Sequence, residues 1–172
     1  GVALLHFADS LAAIDAEPTL AEANSVADIG TGAGFPMLPL AIRLKECKFL
    51  GVESVGKKCK FITSAAEKLE LENVNVFCGR AEELGHKNDY RETFDAVTAR
   101  AVGAIPSLCE VGLPLLRING LLLLYKTEQA LPELESVITT IEMLGGAVET
   151  PHRYRFARDE NERVIIRIRK VK

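Results

Sequence analysis

Three glycines at alternate positions, Gly30, Gly32 and Gly34, follow the apolar run Val26-Ala27-Asp28-Ile29 and precede a helix-like stretch from Leu38 to Leu44. A short apolar strand, a glycine-rich turn and a helix start in that order belong to a doubly wound α/β sheet, with the turn at the ligand edge. Glycine is required where a side chain would occupy the space a ligand must enter. The dinucleotide pattern G-x-G-x-x-G would put its third glycine where Phe35 stands, whereas here it comes one position earlier, at Gly34. That offset disfavours a nicotinamide cofactor.

The spacing suits S-adenosylmethionine. This cofactor has no pyrophosphate and asks only that backbone approach its amino-acid and ribose portions, while carboxylates favour its cationic groups. Asp28 and Glu53 are the candidates. Glu53 closes the next apolar run, 25 residues beyond Asp28, where doubly wound folds place an acid that accepts hydrogen bonds from ribose hydroxyls. Structural roles remain open for both: Asp28 as a partner of the glycine loop, Glu53 as a cap on the helix beginning near Gly56.

From residue 26 onward, strand-like and helix-like periods alternate, which means a mainly parallel α/β sheet. Strands are expected at Val26 to Ile29, Lys48 to Glu53, Val74 to Cys78, Asp95 to Thr98 and Leu121 to Lys126, all read as buried. Ile62, Ala65, Ala66 and Leu69 keep helical spacing. So do Leu131, Leu134, Ile138 and Ile141, in a segment stopped by Gly145-Gly146. Two extended stretches, Ala147 to Phe156 and Arg163 to Arg169, then read as an antiparallel hairpin. Five βα units and a terminal hairpin is the order in which Rossmann-like class I methyltransferases build a seven-stranded sheet with helices on both faces. Residues 1–25 read as a helical segment before the domain at 26–172, and the family resembled below has a longer one.

The strand ends carry small or polar residues: the glycine loop, Glu53, Cys78-Gly79-Arg80-Ala81-Glu82-Glu83 and Val97-Thr98-Ala99-Arg100-Ala101. In an open parallel sheet those ends form one edge, where ligands bind at the topological switch point. Glu82 and Glu83 also suit a helix N-terminus, and Arg100 a partly buried ion pair.

At 172 residues and 48% hydrophobic, the chain has the size of one domain, and its longest apolar candidate, Leu121 to Tyr125, is far too short to span a bilayer. Cys47, Cys59, Cys78 and Cys109 lack metal or redox spacing and read as buried free thiols, which fits a reducing, cytoplasmic setting. His6, His86 and His152 form no relay or metal site. The net charge of -3 argues against indiscriminate nucleic-acid binding, yet the segment from Pro151 carries +5, leaving -8 elsewhere. Those cations suit either phosphate contact or protection of an edge strand. Lys57, Lys58 and Lys60 stand at a helix start, where the dipole disfavours them unless an anion approaches.

His6-Phe7-Ala8-Asp9-Ser10-Leu11, the run from Asp28 through Phe35-Pro36, Lys57-Lys58 with Phe61-Ile62, Arg80-Ala81-Glu82-Glu83 and Thr98-Ala99-Arg100-Ala101-Val102 together resemble the RsmG family, formerly glucose-inhibited division protein B, across essentially the whole chain. The resemblance implies methylation of a guanine N7 in 16S ribosomal RNA with S-adenosylmethionine. It implies a cofactor site at Gly30, Phe35, Glu53, Ser54, Val55, Ala81, Glu82 and Arg100, beside Asp28, Gly32 and Gly34 of the loop. RNA is then expected near His6, Asp9, Ser10, Lys57, Lys58, Arg100 and Lys126, with 16S RNA or the small ribosomal subunit as partner, no metal, and a monomer. Two positions depart from the family pattern: Met37 and Thr127 stand where it usually has glycine, and are expected to narrow the helix start and to alter the floor of the substrate site. The rival readings are a methyltransferase acting on a small molecule or protein, a nicotinamide-binding Rossmann oxidoreductase, and a non-catalytic binding module that keeps the fold, for which Met37 is the one sequence hint.

Overall fold

A computed structural model of the chain describes residues 1–100 and 103–172; Ala101 and Val102, the end of the Arg100-Ala101-Val102 motif, lie outside the described residues. The first half runs α1 (Val2–Ala16), a 3-10 turn at Pro18–Glu22, β1 (Ser25–Ile29), α2 (Met37–Arg43), β2 (Lys48–Glu53), α3 (Gly56–Lys68) and β3 (Val74–Cys78). The second runs α4 (Ala81–Leu84), β4 (Phe94–Arg100), α5 (Ile105–Gly112), β5 (Leu116–Thr127), α6 (Leu131–Met143), β6 (Gly146–Tyr154) and β7 (Arg163–Lys170). The strands form one seven-stranded sheet in the order β3-β2-β1-β4-β5-β7-β6. β1 to β5 are parallel, and β7 lies antiparallel to both β5 and β6. The expected Rossmann-like layout is therefore present, and its direction of winding reverses between β1 and β4.

Each face of the sheet carries its own core. On one, Ala12, Ala13, Met37, Leu40, Phe49 and Ile62 bring α1, α2 and α3 onto the strands. On the other, Ile105, Leu108, Leu113, Leu134 and Ile141 bring in α5 and α6. α1 approaches closely because its buried face is made of Asp9, Ser10, Ala12, Ala13 and Ala16, small or polar residues rather than an aliphatic stripe. Met37 does not crowd the start of α2. It is fully buried, and its thioether fills the space over Gly51, where an added Cβ would lie 2.7 Å from the Met37 Cε.

Three expectations need correction. β3 is an edge strand with Asn75 and Cys78 exposed, since a short apolar run needs only one covered face to be stable. β5 begins earlier than its apolar run: Leu116 pairs with Phe94, and the register shifts across Arg117 to Gly120, where Asn119 takes φ +71°. The four cysteines are not all free: Cys59 and Cys78 are joined by a disulfide, their Cα atoms 5.9 Å apart, while Cys47 and Cys109 are buried thiols. Burial pushes both thiols up to about 12.

The basic C-terminal segment is largely neutralised within the fold. Arg163 pairs with Asp9 and Asp159, Arg167 with Glu17, Arg169 with Glu149 and Glu17, Arg153 with Glu162 and Lys170 with Glu92. Three of these links reach back to α1 and its C-terminal cap, through Asp9 and Glu17. Burial alone would raise the Glu17 carboxyl, but hydrogen bonds from Thr19 and Arg167 and the charges of Arg167 and Arg169 hold it below its ordinary value.

Candidate functional site

The glycine loop turns back on β2. The N–H groups of Gly30 and Thr31 both donate to the Val52 carbonyl, at 2.8 and 3.2 Å. Gly30, Gly32 and Gly34 take φ of +64°, +54° and +94°, a region that L side chains rarely adopt. At Gly34 there is a second reason for glycine, because an added Cβ would overlap the Leu38 side chain at the start of α2. The carboxylate of Glu53 is spread across the mouth of the loop: one oxygen accepts the Gly32 N–H at 3.0 Å and the other the Val55 N–H at 3.0 Å. Both ends of this arrangement are visible in the sequence, but the bond between them is not.

These groups wall a cleft of about 420 Å³, with Gly30, Glu53 and Ser54 on one side and Gly79, Ala81 and Glu82 on the other. The Gly79 N–H donates to the Glu53 carbonyl at 2.9 Å, so the end of β3 is sewn to the end of β2 under the cleft. The disulfide joins the same two walls, Cys59 from the first turn of α3 and Cys78 just before Gly79.

Asp28 lies outside the cleft wall. It is fully buried, and its Oδ1 accepts the Thr98 hydroxyl at 2.8 Å, which ties β1 to β4 where the winding reverses. Burial pushes its carboxyl up to about 7, against the Thr98 hydrogen bond and the Arg100 charge. Its Oδ2 has no partner within the described residues.

A second cavity, of about 410 Å³, is lined by His6, Asp9, Arg100, Lys126, Tyr154 and Arg163, with Tyr125 and Thr127 completing it. The Asp9 carboxylate is its centre: Oδ2 accepts from Arg100 at 3.1 Å, and Oδ1 from the Tyr154 hydroxyl at 2.5 Å and from Arg163 at 3.2 Å. The other arm of the Arg100 guanidinium meets His6 Nδ1 at 3.2 Å, and the group sits 5.5 Å from the centre of the Phe35 ring. The His6 and Phe35 rings lie 5.8 Å apart. Burial, and then the Asp9 carboxylate, push the Tyr154 phenol well above its ordinary value. Arg100, Lys126 and Arg163, set against Asp9 and against the Asp159 that pairs with Arg163, leave the cavity weakly cationic.

The two cavities adjoin. Gly103 walls the first, and its carbonyl accepts the Lys126 ammonium of the second at 2.9 Å.

Of the expected residues, Gly30, Glu53, Ser54, Ala81 and Glu82 share the first cavity, and His6, Asp9, Arg100 and Lys126 the second. Phe35 is half-buried against His6 and Arg100, on the side of the second cavity. Val55 is exposed beside Glu53. Ser10 is fully buried, its hydroxyl donating to the His6 carbonyl at 2.7 Å, and offers nothing to a ligand. Lys57 and Lys58 are exposed on α3 and line neither cavity. Thr127 lies on the wall of the second cavity, and its hydroxyl is 3.1 Å from Gln129 Oε1. Tyr125 and Tyr154 carry no sequence signal of a site, and Arg163 only that of the basic C-terminal segment. Tyr154 and Arg163 come from the hairpin, and only the closed sheet brings them to α1. Among the described residues, no cluster of His, Cys, Asp and Glu is arranged to hold a metal ion, and no helix is long and apolar enough to cross a membrane.

Residues 2–160 match the family model described as rRNA small subunit methyltransferase G. Ribosomal RNA small subunit methyltransferase G of Oceanobacillus iheyensis is 45% identical over 146 residues, which cover 85% of this chain and 61% of that protein. The protein of the same name from Bacillus licheniformis is 39% identical over 172 residues, 98% of this chain and 70% of that one. The chain thus spans some 61 to 70% of the length of these relatives. TYW2 of M. jannaschii, solved in complex with AdoMet, superposes with a TM-score of 0.68 at 14% identity, over 95% of this chain and 77% of that one. That likeness concerns the fold.

Proposed function

Since the chain belongs to the family of rRNA small subunit methyltransferase G, we propose that it transfers a methyl group from S-adenosylmethionine to N7 of a guanine in 16S ribosomal RNA. The observation that carries this reading is the adjoining pair of cavities: one walled by glycine backbone and carboxylates, the other weakly cationic, in contact through Gly103 and Lys126.

The first cleft suits the cofactor. Its volume of about 420 Å³ falls in the range of small-molecule sites. Each Glu53 oxygen uses one lone pair on a backbone N–H and keeps another for a ribose hydroxyl. Bound there, S-adenosylmethionine supplies an electrophilic sulfonium methyl. Gly30 leaves the room it needs, and Glu82 adds negative charge opposite Glu53.

The second cavity suits RNA, because Arg100 and Lys126 favour phosphate and the His6 ring, backed by Phe35, offers a flat surface to a base. Guanine N7 attacks through an in-plane lone pair and needs no proton removed. The cavity agrees with this, for its one carboxylate, Asp9, already accepts three hydrogen bonds or ion pairs. The protein's contribution is then to hold the base against the methyl, a proximity effect of up to roughly 7 to 11 kcal/mol.

Methylated guanines mapped in 16S RNA from cells with and without the protein test the reading directly: one guanine should lose its N7 methyl in the deficient strain. An unchanged pattern would sink it and favour a small-molecule or protein substrate. Gly30→Val should abolish cofactor binding in calorimetry, and undiminished affinity would move the cofactor elsewhere.

A further inference from the structure

We infer that Asp9 is a positioning residue: it holds the Arg100 guanidinium in the orientation that methyl transfer requires, an inference that rests on the function proposed above. Asp9 is only 3% exposed and cannot be a principal RNA contact. Its two oxygens divide the work. Oδ1 takes the Tyr154 hydroxyl and Arg163, and so fastens α1 to the hairpin. Oδ2 takes Arg100 at 3.1 Å, at the end of β4.

Arginine side chains have considerable rotamer freedom, and a planar guanidinium aims its donors only where its partners fix the plane. Here the partners are Asp9 and His6, with the Phe35 ring 5.5 Å away. Guanidinium nitrogens only donate, so the 3.2 Å contact makes His6 Nδ1 the acceptor and leaves the ring proton on Nε2. Asp9 therefore sets two groups of the cavity at once, Arg100 directly and the His6 tautomer through it.

The simpler alternative is that Asp9 merely fastens α1. Glu17 separates the two, because it makes an independent attachment of the end of that helix to the same hairpin through Arg167 and Arg169 and lines neither of the two cavities. A purely structural Asp9 would be mimicked by loss of Glu17.

The test compares Asp9→Asn, Arg100→Lys, their double variant and Glu17→Gln, using single-turnover methylation of 16S RNA and the ¹⁵N signals of the His6 imidazole. Asp9→Asn should slow transfer roughly 10- to 100-fold, the scale expected for misplacing a group at the reacting centre. In the Arg100→Lys background it should add less than about twofold, as expected of residues acting as one unit. Glu17→Gln should lower stability but leave the rate within about twofold. Asp9→Asn should also remove the hydrogen-bonded Nδ1 signal of His6. Multiplicative effects of the two substitutions, an equal slowing by Glu17→Gln, or an intact His6 signal would each overturn the inference. If the wild-type protein methylates no ribosomal RNA, the proposed function falls, and the His6 signal still decides whether Asp9 orders Arg100.

Discussion

Asp28 shows how a residue suited to one role serves another. As an acid at the end of a strand it suggests a cofactor contact, yet its side chain is buried beside β4 with Thr98 on one oxygen. Burial disfavours the charge and pushes its folded-state carboxyl up to about 7, above the 3.8 of a free side chain. The unfolded chain therefore releases its proton first as pH rises. This group's contribution is greatest below about 4, declines through the window up to about 7, and is level above it. Asp28→Asn, which keeps an acceptor for Thr98, should remove that decline. Urea denaturation at several pH values should show the variant gaining on wild type between pH 4 and 7, by on the order of 4 kcal/mol at the upper end. A difference that does not change with pH would mean that Asp28 ionises freely. Gly34 is a parallel case: the sequence marks it as a cofactor glycine, but its missing Cβ makes room for Leu38. Gly34→Ala combines a strained φ of +94° with that overlap and should cost about 1 to 3 kcal/mol in the same denaturation experiment.

At the scale of elements, the disulfide is the feature with the plainest consequence. Cys59 and Cys78 are 19 residues apart, on α3 and β3, and a link across a loop of that length removes about 3 kcal/mol of unfolded-state entropy in the chain-entropy model. Reduction, or Cys78→Ser, should lower the melting temperature by several degrees. Because both half-cystines flank the cleft proposed for the cofactor, cofactor affinity should fall with it, and calorimetry with and without reductant measures both. The same pair marks a limit of reading a sequence. Nothing in the spacing of two cysteines says that α3 will fold back over β3. The apolar runs do set β2 and β3 to the residue, Lys48–Glu53 and Val74–Cys78, since turn residues bound them on both sides. The start of β5 is obscured because Arg117, Ile118 and Asn119 are exposed where the strand shifts register. The glycine loop, Glu53 and the Ala81-Glu82 turn are legible because each sits at a strand end. Tyr154 and Arg163 are not, because their significance depends on a partner, Asp9, in the first helix.

For the molecule as a whole, the distribution of charge matters more than its total. The C-terminal arginines that look available to RNA along the sequence, Arg163 included, are mostly paired with carboxylates of the same fold; under the proposed function RNA is met chiefly by Arg100 and Lys126 of the second cavity and by exposed lysines such as Lys57 and Lys58. Affinity for 16S RNA should fall as salt rises. Replacing Lys57 and Lys58 by alanine should flatten that dependence by roughly 0.7 to 0.9 in log-log slope for each phosphate left without its cation. An unaltered slope would place the RNA away from α3. The pairings that remove those arginines from the surface also join parts of the chain far apart in sequence: Asp9 to Tyr154 across 145 residues and Glu17 to Arg167 across 150. During synthesis the first helix emerges long before its partners in the hairpin exist. Its Ala12 and Ala13 can be covered once α2 and β2 exist, but Asp9 waits for Tyr154 and Arg163 of the hairpin. The second cavity is consequently completed after the first: the glycine loop needs only β1 and β2, whereas Asp9 has all its partners only once Arg163 has been added.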